Sequence, residues 1–98
     1  MTVSNRYTQT CSIIEPPKAG RTGSTTIATS VLCTFPYPAN NSRWAMGSDF
    51  RGFEIHLDTT ETAVTPGMIL EMPTGKFIVE KVNLWPKFTE ILARNVNA

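Results

Sequence analysis

Polar and apolar residues alternate along most of this chain, and the period is that of a strand rather than a helix. From Tyr7 to Ile14, the side chains of Tyr7, Cys11 and Ile13 fall on one face. From Thr25 to Phe35 the alternation is long, with Ile27, Val31, Cys33 and Phe35 on one side and Thr26, Ser30 and Thr34 on the other. Phe50 to Asp58 sets Phe53, Ile55 and Leu57 against Glu54, His56 and Asp58, whose face is expected to be wet. Met68–Met72, Lys76–Trp85 and Phe88–Val96 complete the series. Turn formers separate these runs: the paired prolines Pro16 and Pro17, then Thr65-Pro66-Gly67, Pro73-Thr74-Gly75 and Trp85-Pro86-Lys87. Thr89–Asn95 also reads as two turns of helix, but the short turn before it favours a hairpin strand. The pattern predicts an all-β fold, a small β-barrel or sandwich of about six antiparallel strands. Its core is predicted to include Ile27, Val31, Phe53, Ile55, Leu57, Phe77 and Val79.

One segment breaks the alternation. Pro36 to Ser48 is rich in turn formers and keeps no period, yet it carries Tyr37, Trp44 and Met46. Loops of about a dozen residues without structure of their own are uncommon in compact domains and often functional. This long loop after the second strand is therefore the candidate site for partner contacts. Trp44 is expected to stay out of the core as the anchor, with Tyr37 and Arg43 beside it and Asn40 and Asn41 supplying turn geometry.

Composition narrows the picture. In 98 residues there is room for one domain spanning residues 1–98, with residues 1–6 expected as a flexible N-terminal arm. Charged residues are only 17%, below the roughly 25% usual in globular domains, while 41% are apolar, too many for a disordered chain. The formal net charge is +1 and the nine Lys and Arg are scattered, which argues against a dedicated duplex-DNA binder. The N-terminal residues lack a signal-peptide pattern, and no apolar run reaches the ~18–20 residues that span a bilayer. A cytoplasmic site of assembly and no membrane partner are expected. Cys11 and Cys33 are expected to be thiols packed as small apolar groups, since their spacing fits no CxxC motif.

Little in the chain promises catalysis. His56 is the single histidine, and on a wet face between Glu54 and Asp58 it is expected to be a solvated imidazole rather than a general base. Glu54 and Asp58 lie four residues apart on one strand, about 13 Å by strand rise, too far to act as a pair. One His and two distant Cys do not supply a zinc site at any usual spacing. No enzyme activity, cofactor or metal is expected. The aromatic residues Trp44, Phe50, Phe53, Trp85 and Phe88 are interleaved with Arg43, Arg51 and Lys87, a pattern open to stacking on nucleic-acid bases, though core or interface packing is favoured.

The stretch Thr65-Pro66-Gly67-Met68-Ile69-Leu70, then Gly75-Lys76-Phe77-Ile78-Val79-Glu80-Lys81-Val82, then Phe88-Thr89-Glu90-Ile91-Leu92 resembles the C-terminal half of phage head-completion (stopper) proteins. Those proteins join head to tail in tailed double-stranded DNA phages. Their polar corner precedes a short strand, a glycine turn, an aromatic-containing strand and a closing hairpin strand. Met68 stands where the family usually has Asp, and Phe77 where it has its aromatic residue. The earlier order of strand, turn, long strand, loop and strand fits as well. The resemblance implies a virion protein of the neck: a homo-oligomeric ring, commonly a dodecamer, between portal and adaptor on one side and tail protein on the other. It implies a channel for packaged DNA without sequence-specific binding, and a loop, here Pro36 to Ser48, turned toward it. A tail-terminator or tail-completion protein, or an OB-like single-strand binder, is the alternative.

Overall fold

The computed structural model describes residues 7–17 and 23–96, so the expected N-terminal arm lies outside the described residues. Among the described residues seven strands form: β1 (Gln9–Glu15), β2 (Thr25–Cys33), β3 (Tyr37–Pro38), β4 (Phe53–Leu57), β5 (Ile69–Met72), β6 (Gly75–Trp85) and β7 (Phe88–Asn95). The fold is all-β. Every pairing is antiparallel, in the order β2-β1-β5-β6-β7-β4-β3, and Cys33 opposite Leu57 ties β2 to β4. The sheet thus curls into a ring of strands, with β3 as a short extra edge. The two-residue β3 accounts for the difference from the six strands expected.

Two tight hairpins fix the register of the C-terminal half. Met72 faces Gly75 across Pro73-Thr74, and Gly75 takes a φ of 138°, which a side chain rarely tolerates. Trp85 faces Phe88 across Pro86-Lys87, so Thr89–Asn95 is strand and not helix.

Alternation places Ile55, Leu57, Val79, Ile91 and Ala93 inside, packed with Cys11, Ile13, Cys33, Leu70 and Phe77. Burying a side chain of this size is worth about 1.5–3 kcal/mol. Of the predicted core, Ile55, Leu57, Phe77 and Val79 are buried, and Val31 and Phe53 pack half-buried against it. Ile27 does not join: it is exposed, as is Phe35. Between the pairs Cys11–Val31 and Ile13–Ala28, β2 advances one residue more than β1, with Ser30 at φ 56°. Such a bulge reverses the phase of a strand. Ala28 therefore turns toward the core in place of Ile27, and Phe35 lies past the end of β2.

Cys11 and Cys33 are both free and buried. The hydrogen bond to Cys33, and then burial, push the Cys11 thiol far above its ordinary pKa, so it stays protonated and unreactive.

A bulge in β6 matters more for function. Glu80 is the extra residue of β6 between the pairs Val79–Ala93 and Lys81–Leu92. Phe77 and Val79 point inward, but after the bulge Lys81, Asn83 and Trp85 share the outer face with their partners Leu92, Glu90 and Phe88.

Candidate interaction site

The outer face of the β3-β4-β7-β6 segment carries Tyr37, Glu54, His56, Glu90, Asn83 and Trp85 on adjacent strands. Tyr37 pairs with Glu54, His56 with Glu90, and Asn83 with Glu90. This face is not wet, contrary to expectation. Glu54, His56 and Glu90 are only 4–6% exposed.

The cover is the segment 39–52, between β3 and β4. Its turn is locally coded. The Asn40 side-chain oxygen accepts from the backbone N–H of Ser42 and Arg43 (3.0 and 3.3 Å). The Asn41 side-chain amide donates to the carbonyls of Gly47 and Phe50, both at 2.9 Å. The turn folds Trp44 back onto the sheet, where it is 4% exposed. Its indole Nε1 donates to Glu54 Oε1 at 3.0 Å, while Lys81 Nζ donates to the Trp44 carbonyl at 2.8 Å. The expectation that Trp44 stays out of the protein body is corrected: the indole gains both burial and a buried acceptor, and a flexible loop would give it neither.

Arg43 closes the network. Its guanidinium donates from Nη1 to Glu54 Oε1 at 3.0 Å and from Nη2 to Glu90 Oε2, and it lies 5.3 Å over the Trp44 ring. Tyr37 Oη donates to Glu54 Oε2 at 2.8 Å. Trp85 Nε1 donates to Glu90 Oε1 at 2.9 Å, with Asn83 Nδ2 at 3.5 Å. Burial pushes both carboxyls up. The donors outweigh it, Trp44, His56, Tyr37 and the Arg43 charge at Glu54, and Trp85, Arg43 and Asn83 at Glu90. Both carboxyls are held below the ordinary carboxylate range. An ionised carboxylate only accepts, so His56 Nε2, 2.7 Å from Glu54 Oε2, carries a proton and donates it.

Glu54, His56 and Glu90 converge closely enough to hold a metal ion, with ligand atoms within 4.8 Å of one another. The donor set does not suit one. All four carboxylate oxygens already accept from Arg43, Trp44, Tyr37, His56, Trp85 or Asn83, and a cation would sit against the Arg43 guanidinium. Among the described residues no cavity opens onto the cluster. Its arrangement fixes side chains.

What it fixes is an aromatic row. Ring centroids run from Tyr37 to His56 at 5.9 Å, from His56 to Phe88 at 5.5 Å, and from Phe88 to Trp85 at 6.2 Å, the last two rings within 17° of parallel. Trp85 is 46% exposed and Tyr37 is also exposed. The row ends at one rim of the strand ring. Cys33, Leu57, Thr89 and Leu84 face one another in turn across β2, β4, β7 and β6. Exposed Leu32, Phe35, Leu84 and Trp85 gather at or within two residues of that level.

Of the residues that the sequence singled out, Tyr37, Arg43 and Trp44 converge on one network, and Asn40 and Asn41 shape the turn that brings them there. Glu54, His56, Glu90 and Trp85 were not foreseen as members. A signal existed: Ile91-Leu92-Ala93 is an unbroken apolar run, the mark of a strand covered on both faces. Compared with protein-family models, curated proteins and solved structures, the chain matches none of the three.

Proposed function

We propose that this protein is a structural assembly module, and specifically a ring-forming head-to-tail connector of the neck of a tailed double-stranded DNA phage. The observation that carries the assembly reading is the exposed pair Tyr37 and Trp85, each held by a hydrogen bond to a buried carboxylate. Burying two carboxylates brings little net stability, because desolvation offsets most of the attraction. What it secures is position. Trp, Tyr and Arg are the side chains that dominate interface energetics, and those already fixed lose little entropy on docking.

The resemblance to head-completion proteins supports the finer identity. Its corner, short strand, glycine turn and closing hairpin correspond to Thr65-Pro66-Gly67, β5, Gly75 and β6–β7. The scattered Lys and Arg and a net charge of +1 speak against the single-strand binder, which needs a basic groove along the phosphate backbone.

Electron microscopy and sedimentation of the purified chain test the proposal. Rings with a central channel are expected, and Trp85→Ala should weaken assembly about tenfold or more. A chain that stays monomeric at every accessible concentration, or a Trp85→Ala variant that assembles like the wild type, sinks it.

A further inference from the structure

Most of β2 is an edge. On one side it pairs with β1 along its length. On the other it meets β4 only at Cys33–Leu57, through bonds from Thr34 N–H to the His56 carbonyl (3.0 Å) and from Asp58 N–H to the Leu32 carbonyl (2.9 Å). From Thr25 to Val31 no described residue pairs with the backbone on that side. Thr25, Thr26, Ile27, Thr29 and Ser30 are all exposed.

Folded proteins defend such an edge with lysine, proline, a short strand or a cover, because its unpaired N–H and C=O groups accept a further strand. Among the described residues β2 has none of these. It runs nine residues without a charge or a proline, and Thr25, Thr26, Ile27, Thr29 and Val31 are branched at Cβ, which suits extended backbone. Ile27 and Leu32 add exposed apolar side chains that do not join the core.

The one defence present also selects the occupant. The register of β2 on β1 slips twice, between Cys11–Val31 and Ile13–Ala28 and again before Ile14–Thr26. Bulges bend and twist a strand. A second copy would bring the same slips, already fixed by its own β1, and two such edges fall out of step on either side of Ala28. A segment that takes its structure only on binding can follow the bent path.

We infer that the β2 edge from Thr25 to Val31 is a strand-addition site for an extended, uncharged segment of another protein, one that sets alternate apolar side chains beside Ile27 and Leu32. Main-chain hydrogen bonds supply the affinity, and the two exposed side chains supply the preference. The inference does not depend on the assembly reading.

The probes are an acetylated, amidated heptapeptide of alternating threonine and valine, and its copy with every backbone nitrogen methylated. The copy keeps the side chains and loses the donors. Binding is followed on the 15N-labelled full chain by the resonances and hydrogen exchange of the Thr25–Val31 amides. The first peptide should shift these resonances saturably, slow the exchange of the amides that face away from β1, and bind at least about fivefold more tightly than the methylated copy. Ile27→Lys, at an exposed position, should weaken that binding about two- to fivefold. Equal binding of the two peptides, an Ile27→Lys variant that binds like the wild type, or unchanged exchange across Thr25–Val31 each overturn the inference. Protection that rises with protein concentration in the absence of peptide also overturns it, by giving the edge to a second copy. Rings that form while the peptide is ignored defeat this inference alone. A monomeric chain that takes the peptide defeats the assembly reading alone.

Discussion

β4 and β7 present two faces built by opposite means. Inside, Ile55, Leu57, Ile91 and Ala93 contribute through area, without direction. Outside, Glu54, His56 and Glu90 are nearly as buried, yet the two carboxylates are held by directional contacts, from Trp44 Nε1 to the Arg43 guanidinium. The inner face tolerates any close-packed apolar filling of the right volume. The outer face works only in one arrangement. Stability therefore resides chiefly in the first, and the exposed positions of Tyr37 and Trp85 are set by the second.

Substitutions that remove mass should blur this contrast. Leu57→Ala inside should cost about 2–5 kcal/mol, and Trp44→Ala outside about 3–5 kcal/mol, both read from chemical denaturation. If Trp44→Ala leaves unfolding unchanged, the covering segment does not belong to the folded body. Substitutions that remove only direction should restore the contrast. Glu54→Gln keeps the volume but gives up charge and an acceptor, and should cost about 1–3 kcal/mol while freeing Tyr37. Tyr37 ring mobility by NMR checks the second half: a ring as rigid as in the wild type would mean that Glu54 does not hold it.

Acid should act on the outer face before the inner one. Glu54 and Glu90 have depressed pKa values when folded, so their contribution is complete above the unfolded carboxylate value and fades as pH falls through the folded one. The denaturation midpoint should begin to drop below about pH 5, and the drop should be shallower in Glu54→Gln. Equal slopes in the two proteins would remove Glu54 from the account. The smallest effect is expected at the rim. Leu84→Ser, at an exposed position, should shift stability by no more than about 0.5 kcal/mol while weakening assembly. A large loss of stability there would place Leu84 in the core instead of at a contact surface.

The inner face was legible in the sequence because it is periodic: Phe53 to Leu57 and Lys76 to Val79 alternate as strands should. The period failed wherever one residue was inserted. Alternation sends Ile27 inward because nothing in Thr25–Phe35 marks Ser30 as a bulge, a feature set by pairing with β1. The outer face was misread for a different reason. Polar side chains on a strand predict water unless a cover is known, and the cover reaches Glu90 from Arg43, 47 residues earlier. Trp44 was noticed for the right reason, a large ring in an aperiodic segment. Its destination depends on an acceptor, Glu54, that alternation alone places in solvent.

Closure of the strand ring also bears on how the chain reaches this state. β5, β6 and β7 are joined by two-residue turns and can pair as they meet. Ring closure is different, because Ser12 must find Glu71 and Cys33 must find Leu57. Loop-closure entropy is lost before those distant pairs return anything, so refolding is expected on the millisecond-to-second scale of non-local β-proteins. The C-terminal meander would form early and the β1–β2 ribbon would dock last. Pulse-labelled amide exchange during refolding would show it, with Val79 and Ile91 protected ahead of Ile13; simultaneous protection would mean that the ring closes in a single step.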